Sequence, residues 1–559
     1  MAVPQFDLSK TTIGELVDID AEQFGDSKAV LYPKLGIEYN FREFRSLMND
    51  VAKGFMALGI QKGEHIAIWA NNVPEWLYTQ FGTPKIGAVL VTVNTNYRAF
   101  ELEYLMKQSD STTLIMIGGV KEATEYIDVV NQVCPELKAS EPGKLKCAKL
   151  PKLKNVIFIG EEKHPGMLNW SEVMAMGSRI TDEQLAARQA SCKPDDVINM
   201  QYTSGTTGFP KGVMLTHTNL IGNALSMAEC MRLTSEDRLC IPVPFFHCFG
   251  CVLGTLTCMV SAACMCPVVA FNPVDVLQTI EACGCTAVHG VPTMFIAELE
   301  EMSKNQYNTA TLRTGIMAGA PCPIEVMKKV VNDMGAREIC ITYGQTEASP
   351  GITMTRTDDP LELRVSTVGR AIANVEVKIV DYETGKDAPA GVQGELCTRG
   401  YHVMKGYYNN EEATLKAIDR DGWLHTGDLA VMDQNGYVKI TGRLKDMIIR
   451  GGENIYPREI EEFLYTHPKI KDVQVIGVPS EKYGEEVVAY VQVKPGEELT
   501  SEDLKTFCQG QISRHKIPAF WAFVNEYPTT ASGKIQKYKL RQDAIQRLAR
   551  EAAADIKTA

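Results

Sequence analysis

The chain has 559 residues, a formal net charge of −12, and hydrophobic and charged fractions of 45% and 23%. These fractions are typical of globular proteins, and the length exceeds what one hydrophobic core supports, so we expect two or more domains. The acidic charge argues against broad nucleic-acid binding, which needs a basic face, but it allows a small anionic ligand in a local pocket.

The first part of the chain alternates between strand-like and helix-like segments. This alternation predicts parallel strands covered by helices. The predicted strands are 65–72, 88–94, 112–118 and 155–160, and the predicted helices are 74–87, 100–109 and 121–134. We expect the lysine-rich segment 135–154 to be a solvated loop. The N-terminal sequence MAVPQFDLSK lacks the basic segment and apolar core of a signal peptide, so we expect a cytoplasmic protein.

The stretch YTSGTTGFPKG, residues 202–212, lies between two strand patterns, VINMQY and GVMLTH. It predicts a strand–loop–strand turn and so differs from a Walker A loop, which runs into a helix. Glycines let backbone N–H groups converge on an anion, hydroxyl side chains add donors, and Lys211 supplies a positive charge. The alternative is a plain polar hairpin, but such a loop is costly to order without a ligand, so we favour a triphosphate cradle.

A second alternating series follows this loop. Its predicted strands are 238–244, 265–271, 286–292, 314–320 and 339–344, and ligands should lie at the loops that follow their carboxyl ends. Residues 251–271 carry no charge and are long enough to cross a bilayer. Pro267 near the end of this segment favours a buried helix followed by a buried strand, so we expect no transmembrane segment.

The pattern changes after residue 365 to short β-strands, with a strong hairpin turn at Asn435-Gly436. From residue 443, a helix at 457–468, three strands, a helix near 501–512 and an amphipathic tail helix predict an α+β domain. We therefore predict an α/β fold with two doubly wound sheets and a small β-rich unit in a large N-terminal domain. This domain spans 1–442, with layers at about 1–190, 191–364 and 365–442, and the small C-terminal domain spans 443–559.

Sixteen cysteines are scattered along the chain, several of them in apolar runs such as TCMVSAACMCP. This distribution is typical of buried, reduced thiols rather than of a disulfide framework. Cys264 and Cys266 are one residue apart, as are Cys283 and Cys285, and neither pair has the spacing of a zinc finger. We therefore predict no metal–cysteine site.

Two further motifs follow predicted strands of the second series. In YGQTE, Glu347 could bind Mg²⁺ and Tyr343 offers a flat face for a base. An equally good interpretation is a helix N-terminal turn capped by Thr346 and Glu347. In MAGAPCP, Gly319 and Ala320 could let an adenine lie against the backbone, although an ordinary strand-to-helix turn is the simpler interpretation.

Several charged residues later in the chain suit a nucleotide. Asp428 in HTGDLA, which we predict to lie between a turn and a strand, could accept hydrogen bonds from a ribose diol, and Arg443 could reach the same sugar or a phosphate. Lys534 lies in a glycine-bearing turn, PTTASGKIQK, and becomes interesting if the last domain folds onto the first. Each such residue is more often simply solvated. His247 in PFFHCFG is either a core histidine or a gate to an apolar pocket.

Taken together, these motifs resemble the adenylate-forming superfamily of acyl-CoA synthetases, luciferases and peptide-synthetase adenylation domains. The resemblance covers about residues 10–545, with the motifs in the family's order and spacing. RGGENIYP, SGKIQK and PFFHCFG are most similar to medium-chain fatty acyl-CoA synthetases of the acyl-CoA synthetase family member 2 type. The resemblance implies a large N-terminal domain, a hinge and a small mobile C-terminal domain that rotates between two half-reactions.

The resemblance also implies roles for individual residues. Lys534, Glu347 and Lys211 would be catalytic, and Glu347 would bind Mg²⁺. Lys445 would be the hinge, and His247 would lie at the acyl pocket. Gly451, Gly452 and Glu453 would border the CoA tunnel. The implied ATP-binding residues are Thr203, Ser204, Gly205, Thr206, Thr207, Gly208, Lys211, Gly319, Ala320, Pro321, Tyr343, Gly344, Gln345, Thr346, Asp428, Arg443 and Lys534.

The implied reaction converts ATP, a carboxylic acid and CoA to acyl-CoA, AMP and pyrophosphate through an acyl-adenylate, with Mg²⁺ as cofactor. The alternatives are an adenylation enzyme that loads a carrier protein, a ligase for aryl or other acids, and a luciferase-like oxygenase. A non-catalytic nucleotide-binding protein is a remote alternative, because the key charged residues are all present. The implied partners are small molecules, without nucleic acid, and the sequence is compatible with peripheral membrane contact and with a homodimer.

Overall fold

The structure of the protein, a computed structural model, describes residues 2–558 except 121–124, 204–209, 321, 382–383, 445, 451–452, 481–482, 510, 513 and 531–533. The chain divides into two compact units. The first unit comprises Met1–Val377 and Thr398–Leu424, and the second comprises Lys378–Cys397 and His425–Ala559. The predicted boundary at residue 443 for a mobile C-terminal domain stays a prediction.

The first unit contains an eight-stranded sheet. Its central strands are parallel, with Ile66 paired to Leu90 on one side and to Thr113 on the other. The two strands that flank the glycine-rich loop, and a short strand beside them, are antiparallel and form one edge. In spatial order the strands are Gly406–Tyr407, Lys211–Thr216, Val197–Thr203, Val89–Thr92, His65–Trp69, Thr113–Met116, Asn155–Phe158 and Leu168–Asn169.

The first unit also contains a nine-stranded sheet. Its six central strands are parallel, and antiparallel strands form both ends. In spatial order the strands are Arg370–Ala371, Gly351–Met354, Cys340–Gly344, Thr314–Met317, Ala287–Gly290, Arg238–Ile241, Cys264–Pro267, Lys28–Tyr32 and Ile37–Asn40. Parallel strands buried on both faces explain the continuous apolar runs seen in the sequence.

Helices of the first unit follow most of these strands. Pro74 begins one of them because its fixed φ suits the first turn, and Gly87, with φ +70°, ends the same helix. The described α-helices are Ile13–Gln23, Phe41–Ala57, Pro74–Ile86, Ala99–Gln108, Glu125–Val133, Trp170–Met176, Asp182–Ala190, His217–Met231, Thr257–Ser261, Pro273–Cys283, Pro292–Met302, Ile324–Asn332, Leu361–Ser366 and Glu411–Ala417. Short 3₁₀-helices occur at Pro33–Leu35, Pro135–Ala139, Gly177–Arg179 and Thr346–Ala348.

The uncharged segment 251–271 is a buried helix followed by a buried strand, as predicted. A π-helix at Phe249–Leu256 continues as the α-helix Thr257–Ser261, and the strand Cys264–Pro267 follows. Every residue of these three elements is buried. None of the described helices combines the length and the apolar character that crossing a membrane requires.

Two smaller sheets follow in the chain. A four-stranded sheet has the order Val375–Val380, Gly394–Gly400, Leu424–Met432 and Val438–Arg443, and the division between the two units falls within its first three strands. A five-stranded sheet has the order Glu453–Ile455, Ile448–Arg450, Gly484–Val493 and Ile470–Ser480, with Phe520–Phe523 beside Gly484–Val493. The helices Pro457–Tyr465, Ser501–Cys508 and Lys537–Thr558 and the 3₁₀-helix Arg514–Lys516 belong to the second unit.

The predicted α/β fold is confirmed, with three differences in detail. The strands Lys28–Tyr32 and Ile37–Asn40, which the sequence pattern did not indicate, join the second sheet. The strands around the glycine-rich loop join the first sheet, although the predicted layer boundary near residue 190 precedes them. The expectation of a solvated loop at 135–154 is wrong in part, because its leucines and Cys147 are buried while its lysines stay at the surface.

All sixteen cysteines stand as free thiols, and all except Cys192 are buried. This matches the expected arrangement of buried thiols. Burial in apolar surroundings raises the pKa of several of them, including Cys251 and Cys258. Such thiols are chemically inert because the reactive form is the thiolate.

Candidate active site

The predicted strand–loop–strand turn is confirmed. The strands Val197–Thr203 and Lys211–Thr216 run antiparallel, and their last pair in register, Thr203 with Lys211, closes the loop. Both residues are half-buried. The predicted loop residues Ser204, Gly205, Thr206, Thr207 and Gly208 lie outside the described residues. Among the described residues, the loop end of the hairpin therefore carries the hydroxyl group of Thr203 and the ammonium group of Lys211.

Glu347 lies beside this hairpin. It belongs to the 3₁₀-helix Thr346–Ala348, which follows the strand Cys340–Gly344. Its Oε1 atom accepts hydrogen bonds from the Tyr407 hydroxyl at 2.8 Å and from Thr203 Oγ1 at 3.4 Å. The helix-capping interpretation is not supported, because the N-cap residue is Gln345 and its side chain makes no capping hydrogen bond. The carboxylate is instead directed toward the end of the glycine-rich hairpin.

Tyr407 is a site residue that the sequence interpretation missed. It lies in the strand Gly406–Tyr407, which pairs with the second strand of the hairpin. Its ring centroid is 4.4 Å from Lys211 Nζ, and its side chain is 7% exposed. The signal in the sequence is weak, since a strand of two residues has no hydrophobic period. Tyr407 thus contacts two of the three residues predicted to be catalytic.

The predicted adenine-contacting segments come from neighbouring parallel strands. Thr314–Met317 and Cys340–Gly344 pair in parallel, so the loops after both strands leave the same edge of the sheet. Gly319 is exposed with φ +86°, Ala320 and Tyr343 are half-buried, and Pro321 lies outside the described residues. Gly344 has a structural reason for being glycine, because a Cβ there would lie 1.8 Å from the carbonyl oxygen of Pro350.

His247 is half-buried and lies just before the uncharged segment 251–271. Its Nδ1 atom accepts a hydrogen bond from the backbone N–H of Phe249 at 3.2 Å. The neutral ring therefore carries its proton on Nε2. A fixed tautomer suits either a core histidine or a gate, so its place at an acyl pocket stays a prediction.

Asp428 and Arg443 pair with each other in the second unit. They are directly opposite in the hairpin formed by Leu424–Met432 and Val438–Arg443, and Arg443 Nε lies 3.0 Å from Asp428 Oδ1. Asp428 lies within its strand, which corrects the prediction that it lies between a turn and a strand. The aspartate is 6% exposed, whereas the arginine side chain is 59% exposed. The structure thus brings together two residues that the sequence predicted to bind the same sugar.

Glu395 restrains the part of the strand Leu424–Met432 that precedes Asp428. Its carboxylate accepts one hydrogen bond from His425 Nδ1 at 2.8 Å and another from the backbone N–H of Gly427 at 2.9 Å. These two donors, from His425 and Gly427 of the same strand, restrict the chain just ahead of the aspartate. The sequence interpretation did not single out Glu395 or His425.

Lys534 is half-buried in a turn closed by its own backbone. Thr530 N–H donates to Lys534 O at 2.7 Å, and Lys534 N–H donates to Thr530 Oγ1 at 3.0 Å. Three residues later, Lys537 Nζ donates to the buried carboxylate of Glu461 at 2.6 Å and to Val475 O at 3.1 Å. The buried ion pair anchors the chain directly after the lysine turn.

Of the remaining predicted residues, the structure describes Glu453, which lies in the five-stranded sheet. Lys445, Gly451 and Gly452 lie outside the described residues. The strand Glu453–Ile455 begins directly after the glycine pair, and Glu453 pairs through its backbone with Arg450. The roles in a hinge and a CoA tunnel stay predictions.

Comparison with known proteins identifies the protein family. Residues 17–408 match the AMP-binding enzyme family and residues 459–534 match the AMP-binding enzyme C-terminal domain. The chain therefore belongs to the AMP-binding enzyme family, and the resemblance inferred from its motifs is confirmed.

Similar proteins define the enzyme class further. The chain is 58% identical over 540 residues to a Bacillus subtilis (strain 168) protein named "Putative acyl-CoA synthetase YngI", covering 97% of this chain and 98% of the relative. It is 39% identical to a Homo sapiens mitochondrial medium-chain acyl-CoA ligase, ACSF2, covering 96% and 88%. The chain is thus an enzyme of the AMP-forming acyl-CoA ligase class.

Solved structures agree with this fold. An anthranilate CoA ligase, AuaEII, in complex with anthranoyl-AMP matches with a TM-score of 0.84 and 25% identity, covering 96% of this chain and 98% of that one. ATP-bound MatB from Rhodopseudomonas palustris matches with a TM-score of 0.80 and 27% identity, covering 95% and 99%. The large N-terminal and smaller C-terminal regions predicted from sequence are consistent with these neighbours.

Proposed function

We propose that the protein is a fatty acid–CoA ligase that prefers medium-chain acids. It converts ATP, a carboxylic acid and CoA to acyl-CoA, AMP and pyrophosphate through an acyl-adenylate. The observation that carries the proposal is the position of the Glu347 carboxylate, hydrogen-bonded to Thr203 at the end of the hairpin that bears Lys211. The preference for medium-chain acids is supported by the relatives of that name, which are 38–40% identical.

The first half-reaction requires charge neutralisation rather than a base. A carboxylic acid with a pKa of roughly 4 to 5 is already ionised at neutral pH, so it can attack the α-phosphorus directly. The obstacle is the approach of an anion to a polyanion. Lys211 on the hairpin and Lys534 on the second unit supply positive charges that offset this repulsion and position the reactants.

The donor set around Glu347 fits a magnesium ion. Both protein hydrogen bonds to its carboxylate fall on Oε1, and within the described part of the chain no hydrogen bond reaches Oε2. A carboxylate oxygen without a protein donor is a suitable ligand for Mg²⁺. When bound there, the ion would neutralise phosphate charge, and Glu347 is the residue that would hold it.

The second half-reaction is attack of the CoA thiol on the acyl-adenylate. Lys534 must withdraw to admit the thiol, which is why we propose that it belongs to a mobile domain with its hinge at Lys445. Asp428 and Arg443 are proposed to bind the ribose, and Gly451, Gly452 and Glu453 to border the path of the pantetheine arm.

A panel of acids tests the proposal. Purified protein is assayed with Mg²⁺, ATP and CoA against straight-chain acids from acetate to stearate and against benzoate and anthranilate, with AMP and acyl-CoA as the measured products. We expect acid-dependent ATP–pyrophosphate exchange and the highest kcat/KM for acids of medium length. A clear preference for an aryl acid would refute the proposed substrate, and exchange that is independent of acid would refute the proposed reaction.

A further inference from the structure

Tyr407 contacts both residues of the first unit that are proposed to be catalytic. Its hydroxyl donates a hydrogen bond to Glu347 Oε1 at 2.8 Å, and its ring centroid lies 4.4 Å from Lys211 Nζ. We propose that Tyr407 is a positioning residue that holds this acid and this ammonium group in a fixed relation during adenylation. The inference rests on the proposed function, because it depends on the roles of Glu347 and Lys211.

The backbone around Tyr407 is fixed independently of its hydroxyl. Tyr407 is opposite Val213 in the antiparallel strand pair, and its N–H donates to Thr414 Oγ1 at 2.9 Å. Three residues earlier, the N–H of Met404 donates to the carbonyl oxygen of Glu347 at 2.9 Å. The same segment therefore holds Glu347 at its backbone and at its side chain. A side chain presented from such a strand has little freedom to move away from the acid.

The hydroxyl group of Tyr407 orients the carboxylate of Glu347. The Tyr407 hydroxyl donates to Glu347 Oε1 at 2.8 Å, and the tyrosine is buried beside that carboxylate. Hydrogen bonds to an ionised acceptor are shorter and stronger than those between neutral groups. Because this bond and the longer one from Thr203 both reach Oε1, they set the plane of the carboxylate and the direction of Oε2.

The aromatic ring of Tyr407 restricts the position of the Lys211 ammonium group. A lysine side chain is a flexible stem with a compact charge, and nothing in its chemistry fixes the position of the ammonium group. The negative face of an aromatic ring attracts a cation within about 6 Å of its centroid. The ring of Tyr407 therefore favours Lys211 conformers that place the ammonium group next to the acid-bearing segment.

Replacing Tyr407 with phenylalanine separates the two contacts, because it removes the hydroxyl and keeps the ring. For Tyr407→Phe we expect kcat/KM of ATP–pyrophosphate exchange to fall about tenfold to a hundredfold. Thioester formation from supplied acyl-adenylate should be nearly unchanged, as should the thermal unfolding midpoint. Mn²⁺ binding in the presence of ATP, followed by electron paramagnetic resonance, should weaken, which provides a readout other than activity.

The neighbouring residue provides a matched control. Tyr408 is next in the chain, and its hydroxyl also donates to a carboxylate, Asp110 Oδ2, at 3.1 Å. Tyr408→Phe removes the same atom and the same type of hydrogen bond away from Glu347. We expect this variant to retain the wild-type exchange rate and Mn²⁺ affinity.

A leucine variant tests the ring. Tyr407→Leu removes both contacts and should lower exchange a further twofold to fivefold, roughly, below Tyr407→Phe. In a Lys211→Met background this further loss should disappear, because no cation is left to interact with the ring. Persistence of the loss in that background would overturn the part of the proposal that concerns Lys211.

The outcomes also separate this inference from the proposed function. If wild-type protein shows acid-dependent exchange and Tyr407→Phe exchanges equally fast, the inference fails while the proposed function stands. Equal losses in Tyr407→Phe and Tyr408→Phe, or equal losses in both half-reactions, would likewise overturn it. If wild-type protein shows no exchange with any acid, the proposed function itself fails.

Discussion

The two compact units hold their candidate reactive groups by different means. In the first unit, the Glu347 carboxylate is held by side chains that are 144 and 60 residues away in sequence, Thr203 and Tyr407. In the second unit, the Lys534 turn is closed by hydrogen bonds to Thr530, four residues away. The acid is therefore placed by the tertiary fold, whereas the backbone of the lysine is placed by a local turn.

This difference suits the proposed chemistry. A group that binds a metal must keep one geometry, and contacts from distant segments provide that. A lysine that acts in one half-reaction and withdraws in the other must keep its local conformation while its domain moves. Lys537, directly after the turn, pairs with the buried carboxylate of Glu461, and this pair anchors Lys534 within its own unit.

Breaking that anchor should have the largest effect. Lys537→Met would leave the Glu461 carboxylate, which is only 5% exposed, without its cation, so we expect a loss of about 3–5 kcal/mol in the free energy of unfolding of the second unit. Urea unfolding combined with hydrogen exchange resolved by unit measures this loss.

A second ion pair, on the helix Pro457–Tyr465 that also carries Glu461, is the matched control. Lys516 Nζ lies 2.6 Å from Glu459 Oε1, the same distance as in the Glu461–Lys537 pair, but the Glu459 side chain is 52% exposed. Lys516→Met should therefore cost about 0–1 kcal/mol. Similar losses in the two variants would show that the Lys537 pair does not act as an anchor.

Removing the Lys534 side chain should affect the adenylation half-reaction. We expect Lys534→Ala to lower the rate of adenylation by about 10²–10³, because a charge is removed from the site where the anions meet. Thioester formation from supplied acyl-adenylate should be largely spared. Lys539→Ala, at an exposed lysine five residues away, is the control. Equal loss in both half-reactions would refute the proposed role of Lys534.

A buried histidine makes the first unit sensitive to acid. Burial lowers the pKa of His289 to about 4, while its two ring nitrogens pair with Leu253 O and Ile316 N–H. The unfolded chain, with an ordinary histidine pKa, takes up a proton that the folded chain does not. Stability therefore falls as pH falls from about 6.5 to 4, by about 1.4 kcal/mol per pH unit.

His289→Gln should remove this dependence. The difference in unfolding free energy between wild type and variant should shrink as the pH of urea titrations is lowered from 7 to 4.5. Parallel curves for the two proteins over that range would show that His289 does not titrate as expected.

Replacing a buried glutamate of the first unit should have the smallest effect on stability. The effect should be stabilising, whereas breaking the Glu461–Lys537 pair should be destabilising. Glu298 is fully buried, and neither carboxylate oxygen has a hydrogen-bond partner in the described part of the chain. Burial raises its pKa well above the ordinary value, so the folded acid stays neutral and its contribution to stability is lost as pH rises. We expect Glu298→Met to stabilise the protein at pH 8 by about 1 kcal/mol, since a well-packed apolar group replaces an unsatisfied polar one.

The urea midpoint at pH 6 and pH 8 checks this expectation. The gain should be larger at the higher pH, where the ionised unfolded state of the wild type is more strongly favoured. A destabilised variant at both pH values would mean that Glu298 has a partner that stabilises it.

Much of this organisation could be predicted from local patterns. The hairpin around the glycine-rich loop and the turns after Met317 and Gly344 follow from apolar runs bounded by glycine. Tyr407 could not be predicted, because its role depends on contacts with Glu347 and Lys211, and a strand of two residues has no periodicity. The pairing of Asp428 with Arg443 depends on the register of the hairpin. The turn at Asn435-Gly436 predicts this register only together with the lengths of the two strands.

The distribution of thiols provides a practical means to observe domain motion. Cys192 is the cysteine that retains partial solvent exposure, so a maleimide dye should attach there selectively, and a mildly alkaline pH offsets the rise in its pKa that burial causes. One engineered cysteine on the exposed face of the tail helix would accept a second dye. Energy transfer between the two dyes would then report, during turnover, whether the second unit swings as ATP and CoA bind in succession.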